Sequence, residues 1–305
     1  MKKQKKHETI EMTPEEFRKM QLLQLDMLVE LDRICRLHNI SYCITAGTLL
    51  GAVRHKGYIP WDDDADIAML REDYERLKKV VNELNPEICW FQDHSTDPDY
   101  LWGYGKLRRT GTTFVRTGQE HLKAKTGVFI DIFPFDDIPM QTTGMVLQDI
   151  YCFFLRKSLW ARVGSVSGKG VERFLYRLLS FIPVEWSHKM VNKMAKKSRN
   201  DLPNKVRPLL FPSFGKMYMK CQHPAPIRYG IPKKWIVNRS EYLFEGHQLY
   251  GTKDYDAFLK YMYGDYMKLP PLEKRGLHAP VSSFSFENAK VNYSESQNTV
   301  RAGER

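Results

Sequence analysis

"AGTLLGAVRHKGYIPWDDDADIAM" (Ala46–Met69) places four aspartates, Asp62, Asp63, Asp64 and Asp66, within five positions, shortly after a glycine-bounded turn. Carboxylates repel one another and resist burial, so such a cluster beside apolar residues needs a counter-charge, and a metal ion is the obvious candidate. The same stretch decides the fold. "ISYCITAG" (Ile40–Gly47) is rich in β-formers and stops at a glycine, which predicts a strand, and "TLLGAVRH" predicts a short helix after it. Pro60 breaks the chain, "DADIAM" (Asp64–Met69) suits a second strand, and "REDYERLKKVVNEL" (Arg71–Leu84) a second helix. Shorter strands are expected at 88–92, 101–109, 112–116 and 128–133. Strands interleaved with helices make the first half α/β.

The flanks extend this reading. Residues 1–12 form a solvated basic arm. Thr13-Pro14-Glu15-Glu16 is a capping box with proline at the first helical position, and Phe17, Met20, Leu23, Met27, Leu28, Leu31 and Ile34 recur at helical spacing up to Asn39. From Gln141 to about Asn200 the pattern is helical, and from 201 to 235 frequent proline predicts loops. Tyr255–Gly264 reads as a last helix, and the polar chain after about 283 as a mobile tail. The start has no apolar stretch behind its basic residues, and no run of about 18 apolar residues occurs, so neither a signal peptide nor a membrane span is expected. Five widely spaced cysteines, Cys35, Cys43, Cys89, Cys152 and Cys221, contain no CxxC pair and argue against a disulfide framework or a zinc site. They fit a reducing, cytoplasmic setting. The net charge of +11 points to an anionic partner.

A strand has a side-chain period of two, so Asp64 and Asp66 share one face while Asp63 points the other way. Two such carboxylates converge on a hard cation, and oxygen-only ligands suit Mg2+ or Mn2+. "GVFIDIFPFDD" (Gly127–Asp137) supplies a third, Asp131, in the middle of an apolar strand where a charge needs a partner. The alternative for Asp131 is a surface-facing strand residue. Gly47 and Thr48 close one strand and open a helix, a place where free backbone N–H groups hold phosphate. Together these features imply phosphoryl or nucleotidyl transfer.

With those residues aligned, the chain resembles the LicD-type phosphotransferases, of which fukutin-related proteins are distant relatives. The resemblance is carried by "GTLLGAVRHKGYIPWDDDADIAMLREDYERL", "GVFIDIFPFDD" and "YGDYMKLPP". It covers about Leu25–Asp137, resumes at about Glu245–His278, and is weak between. It implies a nucleotidyltransferase-like mixed sheet, with Asp64, Asp66 and Asp131 as metal ligands and catalytic residues and Gly47 and Thr48 as the nucleotide-phosphate turn. It further implies transfer of phosphocholine from CDP-choline to a hydroxyl of a bacterial surface glycan such as teichoic acid or lipopolysaccharide, with release of CMP. The implied organisation is an arm (1–12), a catalytic domain (13–140), a helical region completing the same unit (141–282) and a disordered tail (283–305).

Other residues weigh differently. Arg54 is expected to screen the donor diphosphate, while His55 and Lys56 divide evenly between that role and a solvated helix end. Lys106 and Arg108 share a strand face toward donor phosphate or toward solvent, and Lys106 is taken as a donor-binding residue. Trp61 is expected to pack, Asp136 and Asp137 to form a turn before Pro139, and His278 to be structural or of unassigned role. A nucleotidyltransferase releasing pyrophosphate and a non-catalytic basic binding module are the competing functions, and no nucleic-acid module is evident. Residues 151–200 hold eleven Lys and Arg against Glu172 and Glu185, a net +9. Val171, Phe174, Leu175, Leu178, Leu179 and Ile182 share one helical face there. Either that face packs into the core beneath a solvated basic surface, or the region rests on the anionic inner face of the membrane or guides a lipid-linked glycan.

Overall fold

The computed structural model describes residues 9–198, 204–210, 230–276 and 280–292. Helix α1 (Pro14–Leu37) begins at the expected capping box: the Glu16 N–H donates to Thr13 Oγ1 and the Thr13 N–H to Glu16 Oε2. Its stripe of Met20, Leu23, Met27, Leu31 and Ile34 is fully buried, which stabilises the helix by about 25 cal/mol per Å2 of apolar surface removed from water.

Strand β1 (Cys43–Ile44) leads into α2 (Ala46–His55), and β2 (Asp66–Leu70) into α3 (Arg71–Val80). Strands β3 (Cys89–Gln92), β4 (Gly105–Arg109), β5 (Thr113–Arg116) and β6 (Phe129–Asp137) follow. Three helices come next, α4 (Thr142–Ser167), α5 (Gly170–Leu179) and α6 (Val184–Ser198). The chain returns through β7 (Lys205–Arg207), β8 (Ile231–Pro232), the short α7 (Lys234–Val237), β9 (Arg239–Phe244), β10 (His247–Thr252), α8 (Tyr255–Tyr263) and β11 (Val281–Ser285). The main sheet runs β3-β4-β6-β2-β1-β10-β9, with β7 joining β6 to β8. It is mixed: β2–β6 and β1–β10 are parallel, whereas β1–β2, β4–β6 and β9–β10 are antiparallel. The fold is therefore α/β as expected. No helix among the described residues is long and apolar enough to cross a membrane.

Four expectations change. First, β1 is two residues long and β2 starts at Asp66, so residues 62–64 are irregular chain rather than strand. Second, Asp136 and Asp137 are not a turn. They end β6, which continues because β7 pairs with it there. Asp136 is fully buried and accepts from Arg71 Nε and Nη2, each at 2.8 Å, while Asp137 meets Lys233 at 3.0 Å. Third, the chain beyond 283 does not begin as a loose tail. β11 pairs with β5, Phe286 and Ala289 are buried, and the Lys290 carbonyl accepts from Arg109 at 2.6 Å. Fourth, the end of the arm is tied down: the Ile10 N–H donates to the Val281 carbonyl at 2.8 Å, and Met12 packs on the core. Residues 1–8, Cys221, His278 and 293–305 lie outside the described residues.

Candidate active site

The centre of the site follows from strand register. Asp66 of β2 lies opposite Asp131 of β6, and Asp131 lies opposite Lys106 of β4. Opposite residues on adjacent strands project to one face about 5 Å apart, so acid, acid and amine form a row across three strands. Lys106 donates to Asp131 in a buried ion pair, and its ammonium stands 3.4 Å from the Phe129 ring centre. Burial lowers the Lys106 pKa to about 8 against the opposing pull of Asp131. Asp66 is pushed well above the usual carboxylate range, first by burial and then by repulsion from Asp64, Asp131 and Asp62, with Lys106 opposing. Its backbone is fixed: the Asp66 N–H donates to Thr48 Oγ1 at 2.8 Å, and its carbonyl accepts from the Thr45 N–H at 3.0 Å.

The loop ahead of β2 brings further carboxylates in. Asp62, Asp63 and Asp64 each offer an oxygen within 4.8 Å of the others. Asp63 thus does not point away from Asp64. The alternation expected for it applies only inside a strand, and here the strand has not begun. Two buried glutamines of α1 hold this loop. Gln21 Nε2 donates to the Ile59 and Asp62 carbonyls (3.2 and 3.0 Å), and Gln24 Nε2 to the Asp63 and Phe129 carbonyls (2.9 and 3.2 Å). Gly47 makes room for the first aspartate: a Cβ there would lie 2.5 Å from Asp62 Oδ2. Ala46, at the start of α2, has a left-handed φ of 46°, the kind of backbone strain that concentrates at functional sites.

A cavity of about 320 Å3 opens beside the row, and Asp64, Asp131, Lys106, Arg108 and Arg116 reach it. Arg108 is buried and braced by Gln92 (2.6 Å) and the Gly127 carbonyl (2.8 Å), so it does not face bulk water. Arg116 approaches Asp63 at 3.7 Å, and Arg116 Nε and Thr117 Oγ1 are buried without a hydrogen-bond partner among the described residues. Buried polar atoms left in this way mark a place for a ligand or an ordered water. Trp102 and Tyr104 line the cavity from the loop before β4, and Trp160 from α4. Arg116, Trp102 and Trp160 escaped the sequence reading because three separated elements bring them together. Arg54 is not among the cavity's residues. Its guanidinium donates to the Tyr266 carbonyl at 2.7 Å and holds the segment after α8, its pKa lowered by burial and by Arg275. Trp61 packs as expected, between the Arg275 guanidinium at 4.7 Å and an edge-on His55.

These groups suit a hard divalent cation. The clustered donors are all carboxylate oxygens, without thiol or imidazole, and the burial and mutual repulsion that push the Asp66 pKa up are what such a cation would relieve.

An acidic loop held beside a basic cavity on a mixed sheet is an arrangement chemically suited to phosphate transfer. Residues 39–157 match the family described as the LicD/FKTN/FKRP nucleotidyltransferase domain. The chain thus carries a LicD-family domain. It is 29% identical over 286 residues to the lipopolysaccharide cholinephosphotransferase LicD of Haemophilus influenzae, an alignment covering 86% of this chain and 95% of that protein. A 44-residue stretch, 14% of the chain, is 54% identical to the uncharacterized protein RP689 of Rickettsia prowazekii, covering 16% of it.

Proposed function

We propose that this protein is a phosphotransferase that moves phosphocholine from CDP-choline to a hydroxyl of a bacterial cell-surface glycan and releases CMP. The observation that carries the reading is the juxtaposition of five clustered carboxylates with a cavity bearing Lys106, Arg108 and Arg116, in a chain similar over most of its length to a cholinephosphotransferase. Mg2+ or Mn2+ would be held by Asp64 together with Asp66 and Asp131, or with Asp62 and Asp63; Asp64 belongs to both sets. Such an ion supplies charge neutralisation at the phosphate under attack. Arg116 and Lys106 orient the donor diphosphate, and the aromatic wall of Trp102, Tyr104 and Trp160 keeps water off it. Gly47 and Thr48 act by shaping the carboxylate loop rather than by touching phosphate. The donor is drawn from the cytoplasm, and the acceptor is met at the inner face of the membrane.

The test is a donor screen. Purified protein with Mg2+ is incubated with CDP-choline, CDP-ethanolamine, CDP-glycerol and CDP-ribitol, with and without glycan. CMP release stimulated by glycan, and strongest with CDP-choline, is the expected result. Preference for another alcohol would replace choline. Pyrophosphate release from a nucleoside triphosphate, with no CMP from any CDP-alcohol, would overturn the reading in favour of nucleotidyl transfer.

A further inference from the structure

The three-helix segment α4–α6 is built with apolar side chains outward. On α5, Val171, Phe174, Leu175 and Leu178 fall at the i, i+3, i+4, i+7 spacing of one helical face, and that face is turned to solvent: Val171 is 76% and Phe174 60% exposed. Of the two alternatives for this face, packing into the core is therefore not the one seen for Val171, Phe174, Leu175 and Leu178. What α5 turns inward is small and polar instead. The Tyr176 ring covers Gly164 of α4, its phenol accepts from Lys157 at 2.7 Å, and Arg173 donates to the Ser165 carbonyl at 3.0 Å. Other large apolar side chains of the same segment are exposed as well. Leu147 (68%), Ile150 and Phe153 stand out from α4, and Phe181 (83%) from the turn after α5. Lys157 lies against both the exposed Phe153 ring of α4 and the buried Tyr176 ring of α5, at the seam between the two helices.

Apolar patches larger than a few hundred Å2 are unusual on a free surface and mark docking sites. The charges here select the partner. Lys169, Arg177, Lys189, Lys193 and Lys196 are exposed in the same segment, whose ten Lys and Arg against three acidic residues give a net charge of +7. Two such faces brought together would repel, which disfavours a second copy of this chain. We infer that α4–α6 form a peripheral membrane-docking surface, with Phe174, Leu178 and Phe181 entering the acyl boundary of an anionic bilayer while the lysines and arginines meet its headgroups. The docking surface is independent of the transfer reaction; only its purpose, holding the site at a lipid-linked acceptor, rests on the proposed function.

Co-sedimentation tests this with phosphatidylcholine vesicles and with vesicles carrying phosphatidylglycerol. Wild-type protein should pellet with the anionic vesicles and be released by salt. Each headgroup-facing cation strengthens docking roughly fivefold. The Arg177→Gln, Lys189→Gln, Lys193→Gln, Lys196→Gln variant should therefore bind at least about 100-fold more weakly. Phe174→Ser, Leu178→Ser, Phe181→Ser should also fail to pellet. Both variants alter exposed side chains, so melting temperature and CMP release from a soluble acceptor should stay at wild-type values. Absence of wild-type pelleting, or equal pelleting with both vesicle types, overturns the inference. So does retained binding by the serine variant, or a wild-type dimer that the serine variant makes monomeric. Loss of CMP release with vesicle binding intact would instead refute the proposed reaction and leave the surface standing.

Discussion

Gly47 and Asp62 share one space: the volume a side chain would need at Gly47 is filled by the Asp62 carboxylate. Gly47→Ala forces a buried carboxylate to move, which should cost about 1–3 kcal/mol of stability and lower turnover more than tenfold. Adding Asp62→Ala should restore much of the melting temperature without restoring turnover. A double variant no more stable than Gly47→Ala would show that this contact does not limit the loop.

Asp64 belongs both to the observed cluster with Asp62 and Asp63 and to the proposed set with Asp66 and Asp131. Asp64→Asn should remove turnover while leaving the fold intact, because it keeps the size of the side chain and replaces one carboxylate oxygen of the proposed cation site with an amide nitrogen that cannot bind a cation. Mg2+ or Mn2+ should raise the melting temperature of the wild type by mass action and leave that of Asp64→Asn unchanged. Equal metal-induced shifts in the two proteins would take Asp64 out of the cation site.

Arg116 reaches the cavity with an unsatisfied Nε. Arg116→Met should raise KM for the CDP-linked donor by roughly tenfold or more, the scale of one lost charge-assisted hydrogen bond. Arg116→Lys should not rescue it, since an ammonium lacks the planar fork. A KM unchanged in Arg116→Met would mean that this guanidinium only braces Asp63.

Arg71 and Asp136 form a buried bidentate pair beneath β6. Removing either partner leaves an uncompensated charge, so Arg71→Met or Asp136→Leu alone should cost about 3–5 kcal/mol in urea unfolding, and the double replacement far less. Additive losses would argue that the two charges are not coupled.

His188 of α6 stacks on His94 with ring centres 4.0 Å apart. Burial, then the neighbouring His94, lowers the His188 pKa from 6.5 to about 4. As pH falls the unfolded chain takes up this proton first. The contribution to stability is therefore whole above pH 6.5 and lost between 6.5 and about 4, a loss on the order of 3 kcal/mol. His188→Gln should flatten that limb of the stability profile. Parallel profiles for the two proteins would assign the acid sensitivity to another group.

Local signals were the most legible in the sequence. The capping box at Thr13 and the helix from Tyr255 need only neighbouring residues, and both stand as expected. What depends on distant partners was hidden. "PFDD" before Pro139 has the composition of a turn, and it becomes strand because Lys205–Arg207 pairs with it and Arg71 neutralises Asp136. The polar chain after 283 is held by β5 and by Arg109. In the candidate site, the clustering of the aspartates was readable, but the strand alternation expected for Asp63, Asp64 and Asp66 does not apply, because β2 begins only at Asp66. Gln21 and Gln24 carried a faint signal, two amides three residues apart inside an apolar helical stripe. Amphipathicity revealed the face of α5 but not its direction, which small and polar contacts with α4 decide.

The pairing of β1 with β10 has a consequence for how the protein is made. Ile44 finds its parallel neighbour only at Gly251, far along the chain. During synthesis β1 and β2 can associate early, yet one edge of β1 stays bare until the ribosome has delivered β9 and β10. An exposed strand edge recruits other chains, and closing so long a loop is slow. The emerging polypeptide therefore spends most of its translation with a sticky edge next to the future candidate site. Messages truncated before codon 252 should yield aggregates rather than a smaller working enzyme.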